Sequence, residues 1–134
     1  MKKNLLLLVL IIMSSCSNND AINSTKKSLQ GKWNWISSSG GFAGTTETPK
    51  STNKVIQIEF SGSSYKKYID GQLAFDYPFK IKTQKSIFGG ERPMIVSTDP
   101  SKYFPAMSFE FQNNELHLSE ECYDCFGSVY VRVK

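Results

Sequence analysis

From Leu29 to Lys134 apolar and polar residues alternate with a period of two, and no segment sustains the 3.6-residue period of an amphipathic helix. In one run Leu73, Phe75, Tyr77, Phe79 and Ile81 share a side, with Gln72, Asp76, Lys80 and Lys82 opposite. Met107, Phe109 and Phe111 oppose Ser108, Glu110 and Gln112, and Leu116 and Leu118 oppose Glu115, His117 and Ser119. Val129, Val131 and Val133 oppose Tyr130 and Arg132, while Ile56, Ile58 and Phe60 complete the apolar set. Ser61-Gly62-Ser63, Asp70-Gly71 and Asn113-Asn114 are short turns, because glycine, asparagine and aspartate tolerate positive φ. The pattern predicts eight strands, at about 29–37, 54–60, 64–70, 72–82, 92–98, 105–112, 115–120 and 127–133.

One apolar face and one wet face per strand suit a single antiparallel sheet closed on itself. The predicted fold class is all-β, an eight-stranded up-and-down barrel in meander order whose first strand pairs with its last and leaves no edge. A two-sheet sandwich is the alternative. Residues 64–70 fit less simply, since neither of their faces is clearly apolar, and Pro78, which lacks a ladder donor, predicts a bulge or bend.

Ahead of this domain, Lys2 and Lys3 precede an apolar run from Leu5 to Met13, then Ser14, Ser15 and Cys16. The run is shorter than the roughly 20 residues a spanning helix needs, and reads as a cleaved leader over 1–15. Small residues directly before a cysteine resemble the lipobox of bacterial lipoproteins, although Met13 stands where leucine is usual. That resemblance implies a diacylglyceryl group on the Cys16 sulfur, an acyl chain on its amine and an anchor in the membrane. A plain secretory signal with a chance cysteine is the alternative. Ser17, in place of a retention aspartate, implies an outer-membrane address in the cell envelope. Residues 16–28, polar apart from Ile22 and small residues, read as the lipidated cysteine and a flexible tether.

Removing 15 residues from 134 leaves 119, enough for one domain at 29–134, and loss of Lys2 and Lys3 lowers the formal charge from +4 to +2. No basic cluster interleaved with aromatics points to nucleic acid, and the expected state is a monomer.

Gly31-Lys32-Trp33-Asn34-Trp35 places two tryptophans on one inward face. A glycine, one residue, then tryptophan on the first strand resembles the opening motif of the lipocalins. The resemblance implies that Trp33 seals one end of the barrel and that Arg132, on the last strand, braces it. It also implies a small apolar or amphipathic ligand held by Trp35, Phe75, Tyr77, Phe79, Met107, Phe109 and Phe111, with Phe42 capping the mouth. Lipocalins continue past the eighth strand into a helix, whereas this sequence runs only to Lys134. The competing reading is a barrel filled by its own large side chains that engages a protein or glycan of the envelope through its loops and outward tyrosines such as Tyr130.

Little else points to chemistry. Ser37–Asn53 is long for a connector and reads either as a lid or as a solvated loop. Cys122 and Cys125, three apart across a turn in an exported chain, predict a structural disulfide in preference to a redox pair or a metal site. Glu115, His117 and Ser119 share a face, but the roughly 6.5–7 Å between alternate strand positions argues against a relay among them. Glu120 and Glu121 point to opposite faces and form no carboxylate pair. No nucleophile elbow, phosphate loop or metal motif is present, so neither an enzyme nor a cofactor is expected.

Overall fold

The computed structural model describes residues 18–134, so the leader and Cys16 lie outside it. Its elements are α1 (Asn18–Leu29), β1 (Gly31–Gly40), β2 (Thr45–Glu47), α2 (Pro49–Thr52), β3 (Ile56–Ser61), β4 (Ser64–Ile69), β5 (Gln72–Lys85), β6 (Glu91–Ser97), β7 (Met107–Gln112), β8 (Glu115–Glu120) and β9 (Phe126–Arg132). Strands β1 and β3 to β9 pair in meander order, and β1 closes on β9, giving an eight-stranded antiparallel barrel with β2 as an added hairpin strand. The eight predicted strands are all present.

Register decides what faces inward, because directly opposed residues of an antiparallel pair share a face. Trp33 opposes Arg132 and Trp35 opposes Tyr130, so the inward tryptophans carry Tyr130 inward with them. The expected assignment of β9 is thus reversed: Tyr130 is buried, while Val129 and Val131 are only half-buried. Valine suits either face of a pleated strand, which makes it a poor guide to direction. Beyond Trp35 the register shifts by one, leaving Ile36 unpaired with β9 and setting Ser38 opposite Ser128.

A second irregularity lies on β5. Lys67 opposes Phe75 but Tyr68 opposes Leu73, so Ala74 is the extra residue and Leu73 turns to the outer face, 55% exposed. The bulge expected at Pro78 is absent there. Pro78 sits opposite Ser64, the first residue of β4, where the Ser63 carbonyl is taken by the Phe79 amide at 2.9 Å.

The core runs from Leu29, Trp33, Ile58 and Phe60 through Phe79, Ile81 and Ile95 to Phe109, Leu116 and Leu118. Phe104, which lies between β6 and β7 on a connector with no predicted role, joins this core and packs edge-on against Tyr65 at 5.4 Å. The β6–β7 seam is the shortest, with only Met94–Ser108 and Ile95–Met107 in register.

The expected flexible tether is instead mostly helix. Helix α1 ends on a buried Leu29, with Ile22 two turns earlier packed against the core. Its last carbonyls are met from across the barrel, since the Trp33 indole donates to Leu29 O at 2.9 Å and Arg132 donates to Ser28 O and Gln30 O, each at 2.6 Å. A guanidinium at a helix C-terminus satisfies orphan acceptors and the dipole together. That partner lies over 100 residues away, where local composition carries no trace of it. The Ser37–Asn53 connector is likewise structured: β1 continues to Gly40, β2 pairs back on it, and a Thr48–Ser51 capping box opens α2.

Cys122 and Cys125 form a disulfide, with Cα atoms 5.4 Å apart, in the turn joining β8 to β9. So small a loop yields about 2 kcal/mol in the chain-entropy account. Reduction is expected to lower the urea midpoint by that equivalent while leaving the far-ultraviolet spectrum intact. The turn is also pinned sterically, because a Cβ on Gly40, at φ +145°, would lie 2.2 Å from Cys125 O.

Candidate functional site

The two ends of the barrel differ. At the end where β1 begins, α1 lies across the opening and Lys26 reaches Ser63 Oγ at 2.8 Å. Trp33 is fully buried there, with the Arg132 guanidinium 4.1 Å above its ring centre. Gly31 makes this approach feasible, since a Cβ at that position would meet Arg132 Nη1 at 3.0 Å. An open groove of about 890 Å3 borders Trp33, Phe111 and Arg132. The Arg132 fork is already committed to Gln30 O and Ser28 O, while Asn113, Asn114 and Lys134 also line the groove.

The opposite, open end gathers inward polar groups. A cavity of about 80 Å3 lies between β1, β4, β8 and β9, lined in part by Trp35, Tyr65, Lys67, Glu120, Ser128 and Tyr130. Lys67 enters because Ile58 opposes it on β3, and Glu120 because Met107 opposes it on β7. Ser38 Oγ takes the Trp35 indole N–H at 2.8 Å and pairs with Ser128 Oγ at 2.6 Å. Glu120 Oε2 accepts from the Phe126 amide at 3.2 Å. Among the described residues, no protein partner lies within hydrogen-bond distance of the Tyr65 hydroxyl or the Lys67 ammonium, although Tyr65 is only 5% exposed. Lys67 and Glu120 therefore share one small space without a direct ion pair.

Burial disturbs these groups. It pushes the Tyr65 phenol well above its ordinary value, with Tyr130 and Glu120 adding to the effect. Tyr130 is pushed up to about 12 by burial and by Glu120, against the bond to Ser128. Burial lowers Lys67, while Glu120 opposes that shift and Lys54 reinforces it.

The expected ligand-binding residues divide. Trp35, Phe79, Met107 and Phe109 are buried and Phe75 and Tyr77 half-buried; Trp35 and Met107 border the small cavity, while the others belong to the packed core, the Phe75 and Tyr77 rings stacking at 4.7 Å. Phe111 lies at the closed end, 41% exposed and 5.9 Å from Trp33. Phe42 does not cap an interior: it is 97% exposed on the β1–β2 connection. Sequence reasoning missed Lys67, Glu120, Tyr65 and Tyr130 as a group. Two of them carried a usable signal, since Lys67 shares the parity of Tyr65 and Glu120 that of Leu116 and Leu118, which places a charge on an inward face in each case.

On the outer wall, Ser86 Oγ and the Ile87 amide donate to the two Glu121 oxygens at 3.0 and 2.8 Å. Burial would raise the Glu121 carboxyl, but these donors, Ser108 and Arg92 hold it below its ordinary value. Glu120 and Glu121 do face opposite sides. His117 Nε2 lies 3.2 Å from Glu115 Oε2, closer than backbone spacing alone implied, because both side chains lean along the strand. Ser119 has no contact with that pair among the described residues, its carbonyl instead accepting from Ser108 Oγ at 3.5 Å.

Family models, curated proteins and solved structures were compared with the chain. None matches.

Proposed function

We propose that this protein is a recognition module of the cell envelope, a filled barrel that engages its partner at the open end instead of carrying an apolar molecule inside. The observation that supports this most is the interior. Ligand pockets of small-molecule carriers measure roughly 300–1,000 Å3, whereas the cavity between β1, β4, β8 and β9 measures about 80 Å3 and is partly polar. The large inward residues that suggested an aromatic wall fill the barrel themselves.

The outside of the open end supports the same reading. Among the described residues, five of the eight exposed large apolar side chains, Phe42, Val55, Leu73, Tyr103 and Tyr123, lie on or next to connections at that end, with Ile87 and Phe88 on the β5–β6 connection and Phe111 at the closed end. Exposed aromatics gathered on loops over a rigid scaffold are the usual form of a recognition surface. Helix α1 occupies the other end, so a lipid on Cys16, two residues before α1, would attach the chain on the closed side. In this proposal residues 1–15 are cleaved, Cys16 is acylated in the outer membrane, and the open end carries out recognition.

The test is photo-cross-linking in intact envelopes from a reactive residue placed at Phe42 or Tyr123, with Lys80 on the outer wall as control. Adducts confined to the two rim positions are expected. Equal labelling from Lys80, or no labelling from the rim, would remove the proposal.

A further inference from the structure

We propose that the open-end cavity is a carbohydrate site that admits one edge of a terminal sugar ring, whose adjacent hydroxyls bridge Lys67 and Tyr65 on one side and Glu120 on the other. This rests on the recognition-module reading and names its partner class.

A small anion entering the cavity would meet Glu120, and a cation would meet Lys67; each would leave one half-buried charge opposed. A neutral group that both donates and accepts satisfies the two together. A hydroxyl is such a group, with one donor and two acceptor positions. The Lys67 ammonium and Tyr65 hydroxyl, unpartnered among the described residues, supply donors, and Glu120 keeps Oε1 free of the Phe126 amide.

Shape points the same way. Besides its polar groups, the cavity is walled by the rings of Trp35, Tyr65, Phe126 and Tyr130. A sugar ring presents hydroxyls at its rim and C–H groups on its faces, and aromatic rings pack against the latter. A volume of about 80 Å3 accommodates an edge and not a whole ring. The remainder of the sugar would then lie toward the rim, where Phe42 and Tyr123 are 97% and 88% exposed. The Phe126 ring joins the two regions, since a Cβ on Gly41, next to Phe42, would sit 3.2 Å from it.

The full-length protein, extracted from membranes in a detergent without sugar groups, would be titrated with glucose, galactose, mannose and N-acetylglucosamine, and separately with acetate and glycine. Trp35 emission and ligand-observed NMR report binding. At least one neutral sugar should saturate with a dissociation constant on the order of 1 mM, as expected of a single ring edge. Lys67→Met, which removes a half-buried charge and keeps the stem, should weaken that binding at least about tenfold, and Tyr65→Phe several-fold. Near-ultraviolet circular dichroism checks that both variants fold. Absence of sugar binding at tens of millimolar would overturn the inference, as would equal binding of acetate or glycine, or sugar binding indifferent to Lys67→Met. If sugar fails while the rim still cross-links to a protein, only the carbohydrate assignment falls. If the rim cross-links to nothing as well, both readings fall.

Discussion

Trp33→Ala is expected to cost about 3–5 kcal/mol, a large share of the roughly 5–15 kcal/mol by which domains are folded. The indole is fully buried in the closed end, donates to Leu29 O and lies under the Arg132 guanidinium. Its removal opens a cavity beneath α1 and also releases the carbonyl that ends the helix. Trp33→Phe separates the two contributions. It keeps most of the packing but leaves Leu29 O without its donor, for about 1–3 kcal/mol. Urea unfolding of the three proteins checks this, and a Trp33→Ala midpoint within error of the parent would refute the role given to the closed end. Arg132→Met should fall near Trp33→Phe, because it leaves Ser28 O and Gln30 O unbound.

The second large effect is alkaline. Tyr130 titrates near 12 in the folded protein, against 10 unfolded, and Tyr65 is also raised well above 10. A raised value contributes stability that is complete below pH 10 and is lost as pH climbs through the folded value. For Tyr130 the displacement corresponds to about 3 kcal/mol lost between pH 10 and 12. The groups facing it are Tyr65, Lys67 and Glu120. Lys67 works in the opposite sense: its lowered value makes stability rise with pH up to its unfolded value of 10.5. Tyr68, raised chiefly by its bond to Glu59 on the outer wall, adds to the tyrosine limb in the same direction. Tyr130→Phe should therefore shrink the loss between pH 10 and 12 by about 3 kcal/mol. An alkaline limb unchanged in Tyr130→Phe would show that the phenol is not buried as described.

How far the sequence spoke varied with the range of the interaction. Alternation in β7 and β8 placed Phe109, Leu116 and Leu118 correctly, because the inward positions short of Glu120 are apolar and both strands are regular. Alternation failed at Leu73, where one extra residue, Ala74, reverses the face while the composition stays apolar. It failed again on β9, where valines outnumber the single inward tyrosine and only the pairing with Trp35 decides direction. Helix α1 was hidden because what holds it, Arg132 and Trp33, is remote or outside the segment. The polar cavity was hidden for a related reason: Lys67 on β4 and Glu120 on β8 are far apart in sequence, and only barrel closure puts them in one space.

The central claim is that the barrel is filled and its working surface is the open end. Titration of the protein with a fluorescent long-chain fatty acid, following energy transfer from Trp33 and Trp35, tests this most directly. The account predicts no saturable uptake at one ligand per chain. Saturable one-to-one uptake, lost when an apolar competitor is added and weakened in Phe109→Ala with the fold intact, would contradict it and return the protein to the carriers.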